Sequence, residues 1–396
     1  MRPDRPSEGE LGVAELIGPI VPASYNPPMA PVLDVCIRGA GIVGRTLALL
    51  LARERLRVGL VQAASSSPSH SDVRAYALNA ASRQLLESVR AWPDAAHATP
   101  VTGMEVHGDE GGQVRFRSDG QQALAWIVDV PALEQRLAEA LRYQAQVTVL
   151  DAPAKAPLTI VCEGRASATR AEFGVQYDVQ PYGQHAVAAR LRCEKPHGGV
   201  AHQWFQGGEV LALLPMGGES PEGDAHSLAL VWSVGQDRAD SLLHYPAADF
   251  ESDLTAASHQ VLGKLTLASE RAAWPLQLAR ADRWCGPGWT LAGDAAHSIH
   301  PLAGQGLNLG LADARALAQV LHEREYWRPV GDIRLLRRYE RSRKTDVLAM
   351  EAATDGLQRL FAQDHAAFAA IRNAGMRGFD ASGPIKQWAI RQAAGL

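Results

Sequence analysis

The chain has 396 residues, with 39 Lys and Arg against 43 Asp and Glu, a formal net charge of −4 and 46% apolar residues. That length allows two or three packed layers and more than one core, while the apolar fraction excludes a mainly disordered chain. The charge balance, with no Lys/Arg block along one helix face, argues against a nucleic-acid partner. Four scattered cysteines, Cys36, Cys162, Cys193 and Cys285, form no C-x-x-C pair. They read as isolated buried thiols in a reducing, cytoplasmic setting, and not as a zinc ribbon or a disulfide framework.

Residues 1–31 are rich in Pro, Ser, Gly and Glu, and Glu15, Gly18 and Pro19 break the best signal-peptide candidate. This stretch is expected to be disordered, or to lie upstream of a start at Met29. No apolar run approaches the roughly 18 residues of a membrane span.

In chain order, Val32 to Ile37 has the β-branched, apolar look of a buried parallel strand. An apolar helix from Arg45 to about Arg53 and a second strand, Arg57 to Val61, complete a βαβ unit, which favours a doubly wound sheet. Short strand-like runs alternate with Gly and Asp turns from about Val101 to Ile127. Pro131 to Tyr143 reads as a helix with Leu133, Leu137 and Leu141 on one face. Strand-like runs recur from Tyr177 to Trp232, as expected of a mixed β-sheet in a second domain. Trp289 to Ala292 is another buried strand, and from Leu307 onward the pattern is helical.

The glycines Gly39, Gly41 and Gly44 form G-x-G-x-x-G between a strand and a helix. The first permits the tight turn, the second lets a pyrophosphate approach the backbone, and the third lets helix and strand pack closely. About twenty residues on, where an acid would hold the ribose hydroxyls, stands Gln62. An amide accepts without the charge, so this motif leaves NAD and FAD both open.

A second signal decides more. Gly293 and Asp294 follow a strand, and Gly304, Gln305, Gly306, Leu307 and Asn308 lead into a helix. Asp294 can accept from a polyol such as a ribityl chain, and N–H groups of the helix beginning near Leu307 would face the flavin N1/O2 edge, where reduced flavin is anionic. Asp294, His297 and His300 have metal-like spacing, but Pro301 and the glycines after it make a regular helix improbable, so no metal is expected. Trp204, Phe205 and Trp274 read as core residues. Tyr182 and His202 could orient a phenol, although each is more often structural.

The stretches Asp72 to Ser82 and Gly293 to Leu311 resemble the ubiquinone-biosynthesis hydroxylases of the UbiH/VisC type, single-component FAD-dependent aromatic monooxygenases. Further matches are His202 to Phe205 with Ala212 to Pro215, and Thr354 to Phe361. The resemblance runs from about Val32 to the C-terminus. It implies that Gly39, Gly41 and Gly44 hold the FAD pyrophosphate, that Gln62 faces the adenosine ribose, and that Arg74 reaches the phosphates. It further implies that Asp294 meets the ribityl chain and that Pro301 and Gly304 to Asn308 border the isoalloxazine.

Two departures stand out. The family's second fingerprint carries Asp-Gly, whereas this chain has Glu163-Gly164, still placed among the cofactor contacts. The small β-meander usual before it is replaced by a short connector, Asp151 to Pro157, which two prolines keep as a loop.

The expected fold is α/β: a Rossmann-like FAD-binding domain (32–100, 131–175 and 275–330), an inserted mixed β-sheet substrate domain (101–130 and 176–274) and C-terminal helices (331–396). The resemblance implies hydroxylation of a phenolic, polyprenylated ring with NAD(P)H and O2 through a flavin C4a-hydroperoxide, with peripheral contact to the inner membrane or a biosynthetic complex. No catalytic base is named. The competing expectations are a flavoprotein reductase, a halogenase-like enzyme and a non-catalytic FAD-fold scaffold.

Overall fold

The computed structural model describes residues 32–62, 72–108, 112–118, 120, 122–217, 224–298 and 305–361, with backbone alone for 305 and 352–361. The expectations for residues 1–31, for His300, Pro301 and Gly304, and for 362–396 lie outside the described residues.

The chain begins with β1 (Val35–Arg38), α1 (Ile42–Arg53), β2 (Val58–Val61), β3 (Ala75–Leu78) and α2 (Ala80–Ser88). Four strands follow, β4 (Ala98–Val101), β5 (Gly103–His107), β6 (Gln113–Arg117) and β7 (Ala125–Asp129), then α3 (Val130–Arg142). Next come β8 (Val147–Leu150), β9 (Leu158–Val161), α4 (Thr169–Glu172), β10 (Tyr177–Cys193), β11 (Val200–Gln206), β12 (Glu209–Met216) and β13 (Ser227–Gly235). Helices α5 (Gln236–His244) and α6 (Ala247–Ala257) precede β14 (Leu265–Leu267), β15 (Ala272–Ala281), β16 (Cys285–Gly286) and β17 (Trp289–Leu291). A 3-10 turn over Gly293–Ala295, β18 (His297–Ser298), α7 (Gln305–His322) and α8 (Ile333–Phe361) complete the described chain.

Three sheets result. The first has the order β16-β17-β9-β1-β2-β8. β17, β9, β1, β2 and β8 run parallel, with Val35 opposite both Val58 and Leu158. Strand β2 is buried at all four positions, as strands covered on both faces are. Helix α1 is apolar on more than one side because it serves two cores. Leu47 and Leu51 pack under the sheet, and Ile42 and Leu49 join Leu133 and Leu137 of α3. It starts three residues earlier than its apolar run suggests, since Gly41 caps it.

The second sheet is large and mixed, β18-β15-β10-β13-β12-β11-β5-β6, with β14 beside β10. Its long strand β10 pairs with both β13 and β15 and carries a bulge between Pro181 and His185. One face presents Leu191, Trp204, Leu213 and Trp232 to Leu242 of α5 and to Phe250 and Leu254 of α6. The other face places Ala201, Met216 and Ala229 against Val101 and Ile127.

Those last two residues belong to a third sheet, β3-β7-β4. The sequence reading groups 101–130 with the large sheet, but β7 leaves it to pair with β3 and β4. Strand pairing is non-local, and an apolar run carries no address for its partner.

A buried polar network joins the end of the first sheet to the last two helices. Asp313 of α7 is fully buried and accepts from the Gly293 N–H at 3.0 Å and from Arg343 Nε of α8 at 2.8 Å. His297 Nε2 lies 2.7 Å from the same carboxylate and its ring stacks on Trp284. The Tyr339 hydroxyl, also buried, donates to the Leu291 carbonyl at 3.0 Å. Burial works against ionisation of Asp313, but the His297 and Arg343 contacts outweigh it and hold the carboxyl below the usual 3.8.

Asp313→Asn leaves Arg343 without its buried counter-charge and is expected to destabilise the fold by about 3–5 kcal/mol at neutral pH. The native carboxyl has a depressed pKa, so its contribution is complete above the unfolded value and is lost as pH falls through the folded one. Urea titrations should therefore show the gap between the native protein and the variant narrowing in acid. An equal gap at neutral and strongly acidic pH refutes this account.

Candidate FAD site

The carboxyl ends of the parallel strands bring distant residues together, as open α/β sheets do. Gly39 follows β1, Gln62 follows β2, Glu163 and Gly164 lie just beyond β9, and Gly293 and Asp294 follow β17.

The three glycines of the first turn have three different reasons to be glycine. Gly39 adopts φ +109, and a Cβ there would meet the Cys162 carbonyl oxygen at 2.4 Å. A Cβ on Gly44 would lie 1.9 Å from the Gly39 oxygen, so helix and turn touch. Gly41 is the opposite case: nothing lies within 4 Å of its missing Cβ, and no side chain caps α1 there. The helix thus offers uncovered N–H groups and its positive end to an anion.

At the adenine end the predicted residues are placed unequally. Gln62 is exposed at the end of β2, its amide N–H bonded to Leu150. The Arg74 guanidinium is held bidentately by Asp72, with Nε at 2.9 Å from Oδ1 and Nη2 at 2.5 Å from Oδ2. Glu163 accepts from Ser167 Oγ and Thr169 Oγ1 at 2.7 Å each and from Arg38 Nε at 3.2 Å. These contacts hold its pKa below the ordinary glutamate value against the cost of burial. The side chain expected to face a cofactor also braces its own loop. Gly164, in the left-handed region at φ +73, keeps open space around it.

The Asp294 turn is clamped from the side. Tyr177 donates from its hydroxyl to the Asp294 carbonyl at 2.8 Å. Arg170 stacks on the Tyr177 ring at 3.7 Å and donates to the Ala295 and Gly164 carbonyls at 3.2 Å each. Burial pushes the Tyr177 phenol up to about 12, so it keeps its proton and can donate. Gly293, at φ +62, approaches Val43 of α1, as does Gly310 of α7, so both helices close on the turn.

Asp294 itself is accessible to solvent yet densely surrounded, which places its carboxylate in a recess and not on a convex surface. Desolvation raises its pKa, with His297, Arg165 and Arg74 pulling the other way. Tyr76, largely buried, lies within electrostatic reach of both Arg74 and Asp294. Among the described residues no hydrogen bond satisfies the Asp294 carboxylate. Across the recess α7 begins at Gln305, and a Cβ on Gly306 would meet nothing within 4 Å. Leu307 packs partly buried against the α3 core. Asn308 is turned away from the expected role: its side chain donates to Ala77 O at 2.8 Å and accepts from Asn79 N at 3.0 Å and Ser82 Oγ at 2.7 Å.

Residues 144–354 match the family described as FAD binding domain. The chain is 31% identical over 396 residues to the ubiquinone hydroxylase UbiL of Rhodospirillum rubrum, spanning 92% of this chain and 90% of that protein. The chain belongs to the FAD-dependent ubiquinone-biosynthesis hydroxylases. Within this family it is also 29% identical over 395 residues to the 3-demethoxyubiquinol 3-hydroxylase of Escherichia coli, spanning 92% of this chain and 98% of that one. Among solved structures, the p-nitrophenol 4-monooxygenase PnpA of Pseudomonas putida superposes with a TM-score of 0.71 at 16% identity, covering 91% of this chain and 97% of its own. PqsL of Pseudomonas aeruginosa, a probable FAD-dependent monooxygenase, gives 0.69 at 19%, covering 87% and 99%. At those identities the two structures speak for the fold alone.

FAD suits the residues that this hydroxylase fold brings together. An anion can sit over the bare backbone at Gly41, and a polyol can satisfy the free carboxylate of Asp294. The bare first turn of α7 offers N–H groups to an electron-rich ring edge. His297 Nε2 is committed to Asp313 at 2.7 Å. Tyr177, Arg170, Tyr76 and Asp313 were missed as site residues. Tyr76 lies inside the family-like stretch Asp72 to Ser82 and was within reach of sequence reading, whereas Tyr177 and Asp313 carry no motif.

Two substitutions separate binding from folding. Gly41→Ala should leave the melting temperature of the apoprotein unchanged and weaken FAD binding, whereas Gly44→Ala should destabilise the apoprotein by about 1–3 kcal/mol or more through overpacking. Thermal melts with FAD titrations check both, and equal destabilisation by the two variants refutes the assignment. Asp294→Asn keeps the shape and removes a solvent-accessible charge that no hydrogen bond among the described residues holds, so the apoprotein should melt at about the same temperature. Loss of a charged hydrogen bond should nevertheless weaken FAD roughly 10- to 100-fold. Unchanged FAD affinity removes Asp294 from the site.

Proposed function

We propose that the protein hydroxylates a phenolic ring of a polyprenylated quinone precursor, consuming NAD(P)H and O2. The observation that carries this reading is the meeting, at the carboxyl end of the parallel sheet, of the open backbone at Gly41, an Asp294 carboxylate with no hydrogen bond among the described residues, and the start of α7. Membership of a family with ubiquinone hydroxylases supports the substrate class. The balance is ring C–H + O2 + NAD(P)H + H+ giving ring C–OH + H2O + NAD(P)+.

Bound FAD supplies the redox chemistry, taking hydride from NAD(P)H and activating O2. The chain's own residues bind and orient. Gly39, Gly41 and Gly44 with the α1 N-terminus would hold the diphosphate, and Gly164 leaves its neighbourhood open. Asp294 would accept from a ribityl hydroxyl. N–H groups of Gln305, Gly306 and Leu307 would face the pyrimidine edge, where the helix end favours negative charge. Arg74, tied to Asp72, stands near Asp294 as a fixed positive charge, and Gln62 would reach the ribose as a neutral acceptor. The paired sheets β3-β7-β4 and β10–β13 would shield the reacting ring from water.

An apolar polyprenyl tail implies that the enzyme works at the inner membrane surface as a peripheral protein on the cytoplasmic side. Among the described residues no helix is long and apolar enough to cross a membrane.

The purified protein should be yellow, and a prenylated phenol should accelerate NAD(P)H oxidation and acquire label from 18O2 in its new hydroxyl. Label-free product points to a reductase or halogenase-like reaction. Bound flavin that NAD(P)H never reduces would make the chain a non-catalytic scaffold.

A further inference from the structure

The large sheet brings together three potential metal ligands that the flavin chemistry does not use. Strands β5 and β11 run parallel, with Glu105 opposite His202 and His107 opposite Trp204. Parallel partners share a face, so Glu105, His107, His202 and Trp204 line one side of the sheet. It is the side covered by α5 and α6, opposite the side that meets the three-stranded sheet. His202, read from sequence as able to orient a phenol, therefore lies away from the FAD recess.

Both imidazoles are held in place by stacking on Trp204, His107 at 5.2 Å and His202 at 5.6 Å between ring centroids. His107 Nε2 and His202 Nδ1 are buried and have no hydrogen-bond partner. The His202 residue is 5% exposed. Glu105 Oε2 lies 3.9 Å from His107 Nε2 and 3.8 Å from His202 Nδ1, and all three ligand atoms lie within 4.8 Å of one another. These gaps are too wide for hydrogen bonds, which end near about 3.2 Å. Ligands about 2.0–2.1 Å from a tetrahedral ion stand roughly 3.4 Å apart, so seating one needs a closure of about half an ångström between Glu105 and each imidazole, and of at most about 1.4 Å between the imidazoles. Arg115 and Arg117 approach the other carboxylate oxygen, Oε1, at 3.6 and 3.8 Å, leaving Oε2 to the imidazoles.

We propose that Glu105, His107 and His202 form a site for a single divalent zinc-class cation, remote from the flavin. Two neutral nitrogens and one carboxylate are a zinc donor set, with a fourth position left for water. In the sheet order the β5–β6 hairpin joins the rest through β11, so the ion would staple that hairpin to the sheet. Binding to the folded state alone raises stability with ion concentration.

The test uses the FAD-loaded full-length enzyme, equilibrated with Zn2+ and freed of excess, with bound metal measured by elemental analysis and melting followed with and without a chelator. The native protein should retain about one zinc per chain and melt higher with zinc, the gain vanishing on chelation. Glu105→Gln and His107→Gln, at partly exposed positions, should bind zinc at least about tenfold more weakly, since even outer partners of a metal site cost that much. Their flavin absorbance should be unchanged. A native protein that retains no zinc and shows no chelator-sensitive gain contains a water-bridged cluster instead, and the proposal falls. Zinc retained equally by both variants overturns it as well.

Discussion

The whole flavin end of the molecule hangs on one buried charge. Asp313 has no access to water and would be costly to ionise alone, yet three donors converge on it from three segments: the Gly293 N–H, His297 and Arg343. Because each donor belongs to a different element, satisfying the carboxylate fixes the turn after β17, the short strand β18 and helix α8 relative to α7. The left-handed backbone at Gly293 then brings the turn against Val43, and Gly310 lets α7 follow. Asp294 projects into the recess because its neighbour Gly293 is tied down. A neutral residue at 313 would leave the buried Arg343 guanidinium with only the exposed Asp346 as counter-charge and would free the turn that carries Asp294.

The parts of this arrangement legible in sequence are those whose physics is local. A strand, three spaced glycines and an apolar helix make a phosphate-binding turn readable because all the constraints lie within a dozen residues. Asp294 was readable for the same reason, with a strand before it and a Gly-rich helix entry after it. The α/β class and the mixed sheet follow from apolar periodicity. What escaped is what strand pairing assembles from afar. The third sheet unites β3, β4 and β7, and the cluster on β5 and β11 joins residues nearly a hundred positions apart. Residue type misled in two places. Glu163 and Asn308 look like ligand-facing groups, but a carboxylate with two hydroxyl donors nearby and an amide beside the Asn79 N-cap backbone take hydrogen bonds from within the protein.

These internal uses alter the picture of the cofactor's far end. With Gln62 uncharged and Glu163 committed to Arg38, Ser167 and Thr169, anionic side chains contribute little at the adenosine half. Under the proposed placement of FAD, binding there would fall to backbone, through Gly41 and the α1 terminus. The pyrophosphate contact would then carry more of the affinity, and Asp294 with the start of α7 would carry the orientation.

The long strand β10 has a mechanical consequence. It starts at Tyr177, whose hydroxyl holds the Asp294 carbonyl, and ends at Cys193 in the core beneath α6. Seventeen extended residues span roughly 55 Å, so one strand reaches from the cofactor turn to the opposite end of the large sheet. The bulge between Pro181 and His185, with Gly183 at φ +71, interrupts its pairing with β15 and divides it into two lengths. The near length is fastened to the turn that carries Asp294, and the far length pairs with β13 in the body of the sheet. One strand thus serves both walls, and the bulge sets the angle between them.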